Sequence, residues 1–174
     1  MIYLVTGMMR SGTSAMMQAL EAGGLPVVKS DERRRLNERS GTPGHLANPL
    51  DLYEPAEGDT QQIGWPRQHD GCALKVVAPL MPRLAVHEYR AVLLTRTSQE
   101  IQASYWRAFG RQLAVEWIDS VISELRRTLA NRRDIVWGEY SYTQLREDPL
   151  KVFRGLEGRG WPIDPCAAAA VIRA

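Results

Sequence analysis

The sequence predicts a single α/β domain, doubly wound around a mostly parallel central sheet. Short apolar, β-rich runs alternate with segments of helical spacing, the pattern of a parallel sheet covered on both faces. The first run, Ile2–Thr6, ends at Gly7, and a second glycine, Gly12, stands just ahead of two hydroxyl residues and a helix-like segment. A length of 174 residues with 44% hydrophobic content is enough chain for one real core.

Ile2–Thr6 reads as a buried parallel strand. Thr13–Ala22 has helical spacing through Met16, Met17 and Leu20, and stops at Gly23-Gly24. Pro26–Lys29 is a short second strand, Ala73–Val77 a third, Arg90–Thr95 a fourth and Asp134–Trp137 a fifth. Between them, Gln99–Phe109 gathers Ile101, Tyr105 and Ala108 on one side, and Leu113–Leu129 gathers Val115, Ile118, Ile122 and Leu125. Tyr142–Leu156 carries Leu145, Val152, Phe153 and Leu156, and Pro149 breaks it into two short helices. Trp65, Trp106 and Trp161 are expected in or near the core.

The stretch from about 30 to 71 interrupts this rhythm. It holds four of the ten prolines and no sustained period, although Asp31–Arg39 reads as a helix. The expectation is one domain over 1–174 carrying a long loop insertion.

Composition narrows the partners. A net charge of +2 offers no broad basic surface, so nucleic acid is not expected as a partner. No apolar run reaches membrane-spanning length, and no signal-peptide pattern opens the chain. Two cysteines, Cys72 and Cys166, make neither a disulfide framework nor a metal pattern, which suits a reducing cytoplasm. Arginine outnumbers lysine, 19 to 3. Genome composition explains that bias most simply, although arginine also makes the better bidentate anion contacts.

Strand, tight turn and helix N-terminus form the layout that points backbone N–H groups and a helix dipole at an anion. Gly7 and Gly12 allow close backbone approach, while Ser11, Thr13 and Ser14 add hydroxyl donors. The nucleotidase pattern requires lysine after the second glycine, but Thr13 stands there and the cation is Arg10. A Mg²⁺-dependent nucleotidase also places an acidic residue at a strand end. The best strand for that, Ala91–Thr95, is followed by Arg96.

These residues resemble the sulfotransferase family, whose phosphate-loop fold binds 3′-phosphoadenosine 5′-phosphosulfate. Its loop reads Lys or Arg, Ser-Gly-Thr, then Ser or Thr; here it is Arg10-Ser11-Gly12-Thr13-Ser14, preceded by Met9. The arginine form is similar to the branch that includes tyrosylprotein sulfotransferases and many bacterial members. The family's 3′-phosphate motif is a strand ending in arginine with a serine eight positions later, matched by Arg96 and Ser104. A late Tyr-x-x-Leu-x-x-Asp-Pro element is matched by Tyr142, Leu145, Asp148 and Pro149. The resemblance implies a sulfuryl transferase with the sulfonucleotide bound by Gly7, Met9, Arg10, Ser11, Gly12, Thr13, Ser14, Arg96 and Ser104. Arg10 would also act in catalysis, on the bridging oxygen. No metal is expected, because a sulfuryl group carries less charge than a phosphoryl group.

The chain departs from the family where cytosolic members read Lys-Thr-His-x-Pro. Here Lys75-Val76-Val77-Ala78-Pro79 puts Val77 at the position of the basic histidine. In arginine-loop members a carboxylate shortly after the second strand takes the acceptor's proton, and Asp31 and Glu32 occupy that region here; Glu54, in a segment Asn48-Pro49…Leu52-Tyr53-Glu54 that resembles an Asn-Pro…Tyr-Glu element of bacterial sulfotransferase-like proteins, is a third candidate base, with His45 a fourth. The family's basic, glycine-containing closing loop is not found before Ala174, which leads to the expectation of a more open nucleotide pocket. Two other readings stay open: a non-catalytic nucleotide- or anion-binding protein, and an atypical small-molecule kinase. The acceptor is not identified by any motif.

Overall fold

The computed structural model describes residues 1–29 and 66–173. Its centre is a four-stranded sheet, all parallel, in the order β2-β1-β3-β4. The strands are β1 (Ile2–Gly7), β2 (Ala73–Val77), β3 (Tyr89–Thr95) and β4 (Ile135–Ser141). β1 is buried from end to end because it pairs on both sides, running Tyr3↔Ala73 to Gly7↔Val77 on one edge and Ile2↔Tyr89 to Gly7↔Leu94 on the other. That explains why its sequence is continuously apolar rather than alternating.

Successive β1 side chains still point to opposite faces. Tyr3 and Val5 meet α1 (Thr13–Ala22), α5 (Pro149–Glu157) and α6 (Pro165–Arg173) through Met16, Met17, Leu20, Phe153, Leu156 and Ala168. Ile2 and Leu4 face the other layer, where Leu125 and Leu129 of α3 (Val115–Asn131) join Met81 of the 3₁₀ turn Ala78–Arg83. Helices thus cover both faces, an arrangement consistent with a doubly wound α/β fold. A third cluster joins Met8, just past β1, to Ile101 of α2 (Ser98–Phe109) and to Ile118 and Ile122 of α3. It fixes the start of the β1–α1 loop against α2.

The helices begin where local chemistry predicts. Thr97 caps α2 by accepting from the Glu100 N–H, and Ser141 and Gln144 form a reciprocal capping box at α4 (Tyr142–Glu147). Asp148 caps α5, with Pro149 at its first position, so the break falls at the expected proline.

Three expectations need correction. Pro26–Lys29 is not a full strand among the described residues: Val27 makes an isolated parallel bridge to Ala73, outside β2. Pro26 has no N–H to extend a ladder, although its carbonyl accepts from Ala73 N at 2.7 Å. β4 runs on to Ser141, beyond Trp137, because its register with β3 continues to Thr95. Trp106 is 55% exposed, whereas Trp161 is buried against Tyr3, their ring centroids 5.1 Å apart. Trp65 lies outside the described residues. Among the described residues no helix is long and apolar enough to cross a membrane.

An ion-pair clamp holds the sheet's N-terminal end. Arg132 donates to Asp134 and also to the carbonyls of Leu84 and Ala85, while Asp134 accepts from the His87 N–H. Burial alone would raise the Asp134 pKa, but the Arg132 and His87 bonds outweigh it and leave the value depressed. A depressed carboxyl contributes stability above its unfolded value that is lost as pH falls through the folded one. Asp134→Asn is therefore expected to flatten the fall in thermal midpoint below the unfolded Asp value of 3.8. A melting series from pH 7 to 2.5 checks this; an unchanged acid slope would refute it.

Candidate functional site

The β1–α1 loop, residues 8–12, leaves the sheet where strand order reverses: β2 lies on one side of β1 and β3 on the other. In open α/β sheets, ligands bind in the crevice at such a switch point, beyond the strands' C-terminal ends. Backbone geometry requires both loop glycines. A Cβ on Gly7 would stand 2.5 Å from the Leu94 carbonyl oxygen and 2.6 Å from Ser11 Oγ, so a side chain there has no room. Gly12 has φ +99°, and its Cβ would meet the Tyr142 ring at 2.5 Å. Between them Arg10 itself adopts φ 70°, an uncommon left-handed state for a non-glycine residue.

The loop's polar groups converge. Ser11 is fully buried, and its Oγ has no hydrogen-bond partner among the described residues. Thr13 opens α1 and is also buried. Gly12, the N-cap, brings no side chain to the first helical N–H groups, leaving the positive end of the α1 dipole at the loop. Ser14 Oγ accepts from Lys75 Nζ at 3.3 Å, and Lys75 is only 3% exposed. Met9 is 37% exposed at the rim.

Two distant segments close on this loop. Arg10 Nε donates to Ser104 Oγ of α2 at 3.2 Å. Arg96, immediately after β3, donates through Nη1 to the Arg10 carbonyl at 3.4 Å. Its guanidinium also lies 4.5 Å from the centre of the Tyr142 ring. Glu100 Oε1 stands 3.5 Å from Arg96 Nε, close enough for an ion pair, but Nε is buried without a hydrogen bond. Burial, then the positive charges of Arg96 and Arg107, lower the Arg10 pKa. Arginine nevertheless stays charged at neutral pH. Two guanidinium-bearing residues, Arg10 and Arg96, thus meet at one corner of the molecule, with Glu100 as the only carboxylate paired to either among the described residues. Such a corner can hold an anion with several oxygens.

Beside it lies a cavity of about 300 Å³, lined by Arg96, Glu100, Tyr142, Thr143, Arg146 and Glu147. That is the small end of the range for ligand pockets. Tyr142 links cavity and loop, since one ring touches the space above Gly12 and stacks on Arg96. In the sequence Tyr142 belongs only to the late Tyr-x-x-Leu-x-x-Asp-Pro element. Its spacing to the loop carries no signal of this contact, which exists because β4 delivers α4 to the same sheet end. Lys75 matches the lysine of the Lys-Thr-His-x-Pro pattern, and no pattern predicts its contact with Ser14.

The expected binding residues Gly7, Met9, Arg10, Ser11, Gly12, Thr13, Ser14, Arg96 and Ser104 therefore all lie on or against one loop. Val77 ends β2 opposite Gly7 and brings an apolar side chain to the sheet end. The candidate bases Asp31, Glu32, His45 and Glu54 lie outside the described residues.

No protein-family model matches the chain, and no curated protein matches it. Among solved structures, the crystal structure of an uncharacterized protein from Eubacterium ventriosum aligns with it at 9% identity, covering 91% of this chain and 99% of that one. The TM-score of that pairing is 0.36, too low to carry an argument about fold or function.

Proposed function

We propose that this chain is a P-loop, sulfotransferase-like enzyme that moves a sulfuryl group from 3′-phosphoadenosine 5′-phosphosulfate to a hydroxyl or amine. The observation that supports this reading is the meeting of Arg10, Arg96 and Ser104, from three separate segments, at the C-terminal ends of β1 and β3. In this reading the loop amides, Thr13 and Ser14 hold the 5′-phosphate. Arg96 and Ser104 take the 3′-phosphate. The nucleoside extends toward Tyr142 and its cavity. The acceptor oxygen or nitrogen forms the new bond to sulfur as the bond from sulfur to the bridging oxygen breaks. Arg10 offsets the charge that grows on that leaving oxygen. The acceptor's proton passes to a carboxylate, with Asp31, Glu32 and Glu54 the candidates from sequence.

The apolar Val77 favours a second reading, in which the site binds the nucleotide and transfers nothing. Calorimetry with adenosine 3′,5′-bisphosphate in the absence of metal separates the possibilities. Binding is expected to the wild type, with Arg10→Ala weaker by roughly 10- to 150-fold, the range for charge-assisted hydrogen bonds. If ATP with Mg²⁺ binds and the bisphosphate does not, the sulfotransferase reading fails. Bisphosphate binding without sulfate transfer to a panel of phenols, alcohols and amines selects the second reading.

A further inference from the structure

Glu100 stands in the first turn of α2, four residues after Arg96, and the two line the same cavity. Glu100 Oε1 lies 3.5 Å from Arg96 Nε, longer than a hydrogen bond, and that buried Nε–H is left without an acceptor among the described residues. The other carboxylate oxygen accepts the Thr97 hydroxyl at 2.6 Å. That bond above all, helped by the Arg96 charge, holds the Glu100 carboxyl below its ordinary range, so it is ionised at neutral pH. Arg96 does not depend on Glu100 for its place. Its Nη1 is tied to the Arg10 carbonyl, and its guanidinium lies against the Tyr142 ring. The Arg96 side chain is 18% exposed and that of Glu100 46%, so the carboxylate is the partner with room to move.

An anion that enters this corner meets a fixed cation already screened by a carboxylate. Its oxygen can give the Arg96 Nε–H the bond that Glu100 leaves unmade, but only against the Glu100 charge. We propose that Glu100 is a built-in competitor for Arg96: it neutralises the guanidinium in the empty site, gives way to an incoming anion, and then repels that anion and shortens its stay. The proposal rests on the reading above for its ligand, a nucleotide with a phosphate at Arg96; the role of Glu100 is what it adds. In an enzyme whose nucleotide product keeps two phosphates, such a carboxylate speeds product release, a step that limits many turnovers.

The test is calorimetry and stopped-flow dissociation of two probes, adenosine 3′,5′-bisphosphate and inorganic pyrophosphate, with wild type, Glu100→Gln and Glu147→Gln. Glutamine at position 100 keeps an oxygen to accept from Thr97, since Glu and Gln both serve at this capping position. Glu147 lines the same cavity but is not paired with Arg96 among the described residues, and serves as the charge control. Glu100→Gln should bind the bisphosphate roughly 3- to 10-fold tighter, the effect of removing one unit charge beside a phosphate in partly exposed surroundings. Most of the gain should appear as slower dissociation. Glu147→Gln should change the affinity less than about twofold. Unchanged bisphosphate affinity in Glu100→Gln overturns the proposal and leaves the nucleotide reading intact. Weaker binding also overturns it, because Glu100 would then be a support that holds Arg96 for the ligand. Equal tightening in both variants overturns it as a general field effect. Pyrophosphate that binds where the bisphosphate does not, and binds tighter to Glu100→Gln, keeps the role of Glu100 and sinks the nucleotide reading. No binding of either probe to any of the three proteins sinks both.

Discussion

Gly12→Ala is expected to lower the thermal midpoint by roughly 4–20 °C. Two costs add at this position. A side chain at φ +99° costs about 1–2 kcal/mol of backbone strain. The new Cβ also has to displace the Tyr142 ring from 2.5 Å, an overpacking of about 1–3 kcal/mol. For a chain of this size each kcal/mol moves the midpoint by roughly 2–4 °C. Tyr142→Ala in the Gly12→Ala background should recover the steric part and leave the backbone part. A calorimetric scan showing the single variant within about 2 °C of wild type would refute the loop geometry.

Arg96→Ala should weaken adenosine 3′,5′-bisphosphate about 100-fold while changing stability little. The guanidinium makes three contacts with the site: the bond to the Arg10 carbonyl, the stack on Tyr142 and the ion pair to Glu100. The stack is partly exposed and contributes about 0.5–1 kcal/mol to folding. Its larger role is to keep a planar cation fixed where a phosphate would arrive, so that little ordering is left to the binding step. Arg96→Lys should recover less than tenfold of the loss, because an ammonium cannot hold the stack and the carbonyl bond at once. Affinity for Arg96→Ala within threefold of wild type would remove Arg96 from the ligand site.

Much of the scaffold is legible from local pattern. β1, β2 and β3 are apolar runs bounded by turns, and α1 and α3 show a clean buried stripe, as in Ile118, Ile122 and Leu125. What escapes the sequence depends on tertiary context. β4 continues through Glu139 and Tyr140 because it is an edge strand, where polar residues cost nothing. Helix α6, Pro165–Arg173, leaves no such pattern: its run of alanines has no large apolar period, and it is held by close packing of Ala168 at Gly23. At the site, the loop and Arg96 with Ser104 are legible through spacing, since strand–turn–helix units fix where those residues emerge. Tyr142 and Lys75 are not, because their partners come from other βα units and no spacing rule connects them.

The central place of β1 has a consequence for how the protein is made. The strand that needs two neighbours leaves the ribosome before either of them. Until residues 73–77 and 89–95 follow, Ile2–Gly7 has both rows of backbone hydrogen-bonding groups unpaired by β2 and β3, on a wholly apolar segment. Such a strand is a template for wrong pairing with any extended chain nearby. Its native contacts also span large sequence separations, which slows their formation. Nascent chains that stall before residue 89 should therefore be the aggregation-prone ones, and a holding chaperone should bind first at the segment that later cradles the loop.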